Sequence, residues 1–148
     1  MKIVVGNDHV GLELAITLIN YLEDFHHEIL HIGTYEQGRV DYPNFAQTVG
    51  EVVTSGEADA GILICGTGVG MNIAVNKVKG VRSVVCSEPY SAKLSKEHND
   101  TNVLALGSLV VGSELAKMII DSWLASHFMA SRHSHRVKMI SEIEAKDP

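Results

Sequence analysis

The sequence predicts a three-layer α/β sandwich built on a parallel sheet of five strands. Two observations carry this expectation. Five short, β-branched runs alternate with longer segments whose apolar residues recur at helical spacing, an order that implies right-handed crossovers and a sheet covered on both faces. The third run, Ala60 to Cys65, is nearly continuous in apolar residues, as suits a strand buried on both sides.

Taken in order, Ile3-Val4-Val5 forms the first strand, and Val10, Leu14, Leu18, Tyr21, Leu22 and Phe25 then fall on one helical stripe. Glu28 to Ile32 makes the second strand. The next helix starts near Asp41, a suitable N-cap, with Pro43 in its first turn and Phe45, Val49, Val52 and Val53 turned inward. After the strand at Ala60 to Cys65, helices are expected over Met71 to Val78, Pro89 to Glu97 and Ser113 to about Phe128, with strands at Val81 to Cys86 and Val103 to Leu106 between them. His127 to Ser131 reads as a break. Beyond it Arg132, Arg136, Ile140 and Ile143 share one helical face, basic at its start and apolar after. Such a terminal helix can pack on its own domain or on a second subunit. No repeat, low-complexity stretch or linker divides the chain, so residues 1–148 are expected to form a single domain.

Composition narrows the functional classes. Apolar residues make up 45% of the 148 and charged residues 20%, a globular mix. The net charge of -6 gives no positive field for nucleic acid or an anionic membrane. Any anion must therefore be caught locally. No apolar run approaches the ~18 residues of a membrane span, and Met1 to Gly6 reads straight into a strand rather than a signal peptide. Cys65 and Cys86 are expected as reduced thiols, and the protein as cytoplasmic.

Cys65-Gly66-Thr67-Gly68-Val69-Gly70 is the most informative stretch. It follows a buried strand and opens a helix, so its glycines let the backbone turn tightly and aim several N–H groups at one spot. The partial positive charge of a helix start favours the thiolate form of a cysteine placed there. The plainer alternative is a small buried residue ending a strand, with glycines that only make the turn. The spacing matches neither the dinucleotide fingerprint nor the phosphate loop of nucleotide hydrolases. Asp8 and His9 end the first strand, whose tip can lie beside this loop in a doubly wound sheet. They suit proton transfer to a sugar oxygen or phosphate binding, while Asp8 equally suits capping the first helix. His98-Asn99-Asp100 is ordinary loop unless something joins it to a site. Arg132 and Arg136, one turn apart, can grip one phosphate or stand as two solvated charges. The remaining histidines lack metal-ligand spacing, and His127, His133 and His135 read as surface residues.

Asp8-His9, the run GILICGTGVG from Gly61 to Gly70, VVCSEPYSA from Val84 to Ala92, HNDTN from His98 to Asn102, and the Arg132/Arg136 pair together resemble the ribose-5-phosphate isomerase B type. That family also includes galactose-6-phosphate and allose-6-phosphate isomerases. The resemblance runs through essentially the whole chain. It implies a Rossmann-like five-stranded parallel sheet, a homodimer or a tetramer of such dimers, and a C-terminal helix that contributes to the dimer interface. It implies interconversion of ribose 5-phosphate and ribulose 5-phosphate through a cis-enediolate, without cofactor or metal. By the same resemblance Cys65 matches the catalytic base and Thr67 a residue assisting it. The amides from Gly66 through Gly68 to Gly70 match a cradle for the enediolate oxygen. His98, with Asp8 in support, matches the group that opens the furanose ring, and Asn99 a ligand of the sugar oxygens. His9, Arg132 and Arg136 match the phosphate clamp, the arginines reaching in from the other subunit.

Two departures stand out. Leu109 occupies a position where the family commonly has an arginine that contacts phosphate, and Ala15 one where lysine is frequent. The first puts the phosphate contact in doubt and leaves room for a six-carbon or less usual sugar phosphate. A non-catalytic phosphate-binding module is the rival from another class, and it has no need of a thiol at position 65. A cysteine hydrolase would want an acyl-binding motif that does not accompany Cys65.

Overall fold

Ile3, Val4 and Val5 are fully buried, as are Ile62, Leu63 and Ile64, because both strands are covered on both faces. The computed structural model describes residues 1–36 and 38–146. Its elements run β1 (Lys2–Asn7), α1 (Leu12–Asp24), β2 (Glu28–His31), α2 (Tyr42–Thr54), β3 (Ala60–Cys65), α3 (Val69–Val75), β4 (Ser83–Val85), α4 (Pro89–Asn99), β5 (Val103–Gly107), α5 (Ser113–Leu124) and α6 (Arg132–Ala145). The strands form one sheet in the order β2-β1-β3-β5-β4, with every neighbouring pair parallel.

Side-chain alternation along the strands splits the core into two layers. Ile3, Val5, Ile62, Ile64, Leu104 and Leu106 point to the face covered by α1, α4 and α5, where Leu18, Ile119, Ile120 and Trp123 close the packing. Val4, Leu63, Cys65, Val103 and Ala105 point to the other face, against Val49 and Val53 of α2 and Met71 and Val75 of α3. The predicted three-layer sandwich is what the chain forms. The edges of several elements differ. β4 holds three residues rather than Val81 to Cys86, and Val81 and Cys86 are buried just outside it. Val10 and Phe25 were expected on the buried stripe of α1; they lie before and after the helix and are exposed. α4 runs on to Asn99, taking His98 into its last turn.

The order of strands sets the location of any site. From β1 the chain moves outward to β2, and from β3 it moves the other way, so the carboxyl ends of β1 and β3 flank the crevice typical of such sheets. Asn7 is paired with Ile64, and the Asp8 N–H donates to the Ile64 carbonyl at 3.2 Å. The expectation that Asp8-His9 lies beside the Cys65 loop is met. On the other side of β3, Ser108 N–H donates to the Cys65 carbonyl (2.8 Å) and Leu109 N–H to the Gly66 carbonyl (3.0 Å). This clasp needs glycine at 107, where a Cβ would sit 2.7 Å from the Thr67 backbone.

Gly107→Ala is therefore expected to destabilise the fold by roughly 1–3 kcal/mol through overpacking, whereas Gly112→Ala, with open space at the Cβ position, should stay within about 0.5 kcal/mol. Urea denaturation of both variants measures the difference, and equal midpoints would show that the two loops yield without cost.

Candidate active site

Cys65 ends β3 with its side chain on the α2/α3 face and is only 6% exposed. The chain then turns at Gly68, whose φ of 79° lies in the left-handed region that glycine adopts without strain. This turn aims the Gly68 N–H at Cys65 Sγ, 3.1 Å away, a contact that a thiolate can accept. Thr67 stands on the exposed rim, and its Oγ1 accepts the Val69 N–H at 3.3 Å. Gly70 has a different part: a Cβ there would meet the Tyr42 ring at 2.7 Å. Tyr42, at the start of α2, thus packs over the loop beside Cys65. The sequence reading missed it because residues 42 and 70 are adjacent only through the crossover from β2 to β3.

Asp8 is buried, and its Oδ1 accepts the Gly11 N–H at 2.8 Å, so it closes the turn ahead of α1 as a capping residue would. Behind it Asn7 donates from Nδ2 to the carbonyls of Asp8 and Thr34, each at 3.0 Å. Its Oδ1 must then accept from His31 Nε2. Buried polar groups held in this way fix the loop rigidly. His9 is the exception. Its Nδ1 is buried and has no hydrogen-bond partner among the described residues, an arrangement that costs free energy unless a ligand completes it. His9 also lines a cavity of about 460 Å³ with Arg39, Val40, Asp41, Asn44 and Phe45.

The other candidates lie elsewhere. Gly61 pairs with Val103 and Cys65 with Gly107, so the run from one end of these strands to the other is about 13 Å. Cys65 sits at the carboxyl end, while His98 and Asn99 close α4 just before β5 enters at the amino end. Arg132 and Arg136, both exposed, are on α6, which packs against α4. Asp8, His9, Cys65, Thr67 and the glycines Gly66, Gly68 and Gly70 thus form one group, and His98, Asn99, Arg132 and Arg136 another, at opposite ends of one sheet.

At the amino end the structure corrects one reading. His133 is no surface residue: it is 7% exposed and stacks on His98 with ring centroids 4.2 Å apart and planes 12° apart. Burial pushes its pKa below the ordinary value of 6.5, and the charges of His98, Arg132 and Arg136 act the same way. Helical spacing could not separate it from His135, since the break before α6 sets the phase of the helix. Among the described residues no group of three His, Cys, Asp or Glu is placed to hold a metal ion, and no helix is long and apolar enough to cross a membrane.

The model for the family described as Ribose/Galactose Isomerase matches residues 3–140. The chain belongs to that family. It is 54% identical over 145 residues to ribose-5-phosphate isomerase B of Escherichia coli (strain K12), an alignment covering 98% of this chain and 97% of the relative. A solved structure of Clostridium thermocellum ribose-5-phosphate isomerase B superposes with a TM-score of 0.98 at 49% identity, covering 100% of both chains. At greater distance, D-erythrulose-4-phosphate isomerase of Pectobacterium atrosepticum is 34% identical over 148 residues, 99% of this chain and 97% of the relative.

One consequence concerns pH. A folded-state pKa below the ordinary one means that the unfolded chain binds the proton more readily, so stability is complete above about 6.5 and falls as pH drops from there. Thermal unfolding between pH 7 and pH 5 should show a declining midpoint, and His133→Gln should flatten the decline in part, since half-buried His31, whose pKa burial also lowers, acts in the same sense. An unchanged slope in that variant would remove His133 as a cause.

Proposed function

We propose that the protein is an aldose–ketose isomerase that interconverts ribose 5-phosphate and ribulose 5-phosphate, acting as a homodimer in the cytoplasm. The observation that carries the reading is Cys65 at the sheet's switch point with an N–H aimed at its sulfur, in a chain 54% identical to a ribose-5-phosphate isomerase B along its length. Both cysteines are free thiols, as a reducing compartment keeps them.

In the aldose-to-ketose direction the furanose opens first. His98, supported by Asp8, moves the proton between ring oxygen and anomeric hydroxyl. The Cys65 thiolate then takes the proton from C2, and the C–H electrons form the C1–C2 double bond while the carbonyl oxygen becomes the enediolate. Thr67 assists the thiol. N–H groups of the Gly66, Gly68 and Gly70 loop stabilise the developing charge, a contribution on the order of 10² or more in rate for one such donor. The thiol returns the proton to C1, the carbonyl re-forms at C2, and the hydroxyl proton passes from O2 to O1. Phosphate is held by His9, whose unpartnered Nδ1 makes it a ready ligand, and by Arg132 and Arg136.

These roles need both groups of residues at one place. Closing about 13 Å within one chain would break the sheet, so His98, Asn99, Arg132 and Arg136 act in the site of a second copy. That arrangement uses α6 at the dimer interface and accounts for Met139, Ile140 and Ile143 standing 46–68% exposed on it.

Leu109 favours a second substrate. It lies beside the Cys65 loop, 78% exposed, with Val10 and Val110 also exposed. Val10, Leu109 and Val110 bring no charge of their own to a phosphate at this rim, and a relative named for erythrulose 4-phosphate shows that sugar length varies among similar proteins. A four- or six-carbon sugar phosphate is the alternative reading.

A coupled assay with ribose 5-phosphate, erythrulose 4-phosphate and hexose 6-phosphates separates these readings, and absence of turnover on all of them would sink the isomerase. Cys65→Ala and His98→Ala should each be inactive. Unfolded and refolded together they should regain roughly a quarter of wild-type activity, the statistical share of intact sites in mixed dimers. No recovery in dimers that demonstrably mix would overturn the shared site. Leu109→Arg should lower KM for the sugar phosphate several-fold, about 1 kcal/mol of added charge-assisted contact, with kcat little changed. An unaltered KM would move the phosphate away from position 109.

A further inference from the structure

Within the segment His98 to Asn102, three polar side chains are satisfied inside the chain. Thr101 Oγ1 accepts from Trp123 Nε1 at 2.9 Å and shares a hydrogen bond with Ser95 Oγ at 2.9 Å. Asn102 Oδ1 accepts the Arg82 N–H (2.8 Å), and its Nδ2 donates to the Gly80 carbonyl (2.9 Å). Asp100 Oδ2 receives Arg82 Nη2 at 2.9 Å. His98 and Asn99 stand at the head of this segment, His98 stacked on His133.

Asp100 holds this arrangement at a cost. It caps α4 in the left-handed conformation with φ 50° and ψ 49°, a place where glycine or asparagine is the usual choice. Such a turn persists only when its surroundings over-determine it. Arg82, in the segment entering β4, does so: Nε donates to the carbonyl of Asn99 (3.1 Å) and of Asp100 (2.8 Å), while Nη2 reaches the Asp100 carboxylate. One planar guanidinium thus satisfies two carbonyls at a helix end and pairs with the residue that makes the turn. The planar fork is what permits this, and a lysine ammonium cannot span the same three acceptors. The side chain is 24% exposed, so the contacts are partly withdrawn from water.

We propose that Arg82 is a positioning residue for the isomerisation: by clamping the turn at Asp100 it fixes the imidazole of His98 and the amide of Asn99 in the orientation that ring opening requires. The proposal rests on the isomerase reading. Arg82 touches no reacting atom itself; it acts through the backbone of Asn99 and Asp100. Ribulose 5-phosphate cannot close a furanose, because its C5 oxygen carries the phosphate, whereas ribose 5-phosphate is presented as a ring. Loosening His98 therefore lowers kcat from ribose 5-phosphate more than kcat from ribulose 5-phosphate, whose linear aldose product can leave and close in water, while KM shifts so that the ratio of the two kcat/KM values stays at the equilibrium constant.

The test is Arg82→Ala, assayed in both directions, with the imidazole signal of His98 followed by NMR in labelled dimeric protein. The expected result is a kcat lower by up to about a hundredfold from ribose 5-phosphate, the order of loss when a catalytic group is misplaced by about 1 Å, with a clearly smaller loss of kcat from ribulose 5-phosphate. The His98 Cε1–H signal, single in the wild type, should broaden or double. Equal losses of kcat in both directions, no loss in a folded variant, or an unchanged His98 signal would each overturn the proposal. Should Arg82→Ala fail to fold, Arg82→Lys is expected to give the same asymmetry at smaller size. The NMR arm reads the clamp even if the wild type turns over neither sugar, an outcome that would instead refute the isomerase reading.

Discussion

All five strands run in one direction, and the rest of the molecule follows from that. A parallel sheet sends each helix back across its own face, so residues that end helices collect at one edge and residues that end strands at the other. Cys65 and His98 are separated for this reason alone. The carboxyl edge is the better-prepared of the two for reactive groups: Asp8 is tied to Ile64, the Cys65 loop to Ser108 and Leu109, and Gly107 lets those last two segments touch. The amino edge is prepared in another manner, through the Trp123–Thr101–Ser95 hydrogen bonds and Lys96, whose ammonium donates to the Thr101 carbonyl at 2.9 Å and lies 4.2 Å over the Trp123 ring.

Much of this was legible in the residues. The run AGILIC reads as a doubly covered strand because nothing polar interrupts it, and in the fold all six of its residues are buried. Asp41 and Pro43 mark the start of α2 as they should, although Asp41 closes no side-chain cap there. The glycine-rich loop after Cys65 announced a turn beside a thiol, and that loop turns where expected. What escaped depends on contacts between distant parts of the chain. Tyr42 over Gly70, Arg82 on the turn at Asp100, and His133 against His98 join residues 28, 18 and 35 positions apart, and no local pattern encodes such distances. The Asp100 turn was hidden further, since an aspartate carries no outward sign of a positive φ.

The site candidates divide along the same line. Asp8 and His9 could be placed next to Cys65 from sheet topology, because in a doubly wound sheet the carboxyl ends of the strands on either side of the switch point, here β1 and β3, face one crevice. His98, Asn99 and the two arginines could be attached to the site only through a family resemblance. The fold explains the difficulty: within one chain they lie at the opposite end of the sheet from Cys65. Leu109 is a different matter. Its backbone is held by the Gly66 carbonyl whatever its side chain, so substitution there alters the lining of the crevice without disturbing the clasp.

The last helix, finally, is a lightly moored part of the protein. Among its described residues His133 alone is buried, and the link from Gly80 to Glu144 is an exposed hydrogen bond. Segments with so little covered surface open on their own, far more often than the body unfolds. A chain by itself therefore frays first at this helix. Such a helix, rather than the core, is where a protease would find the chain first.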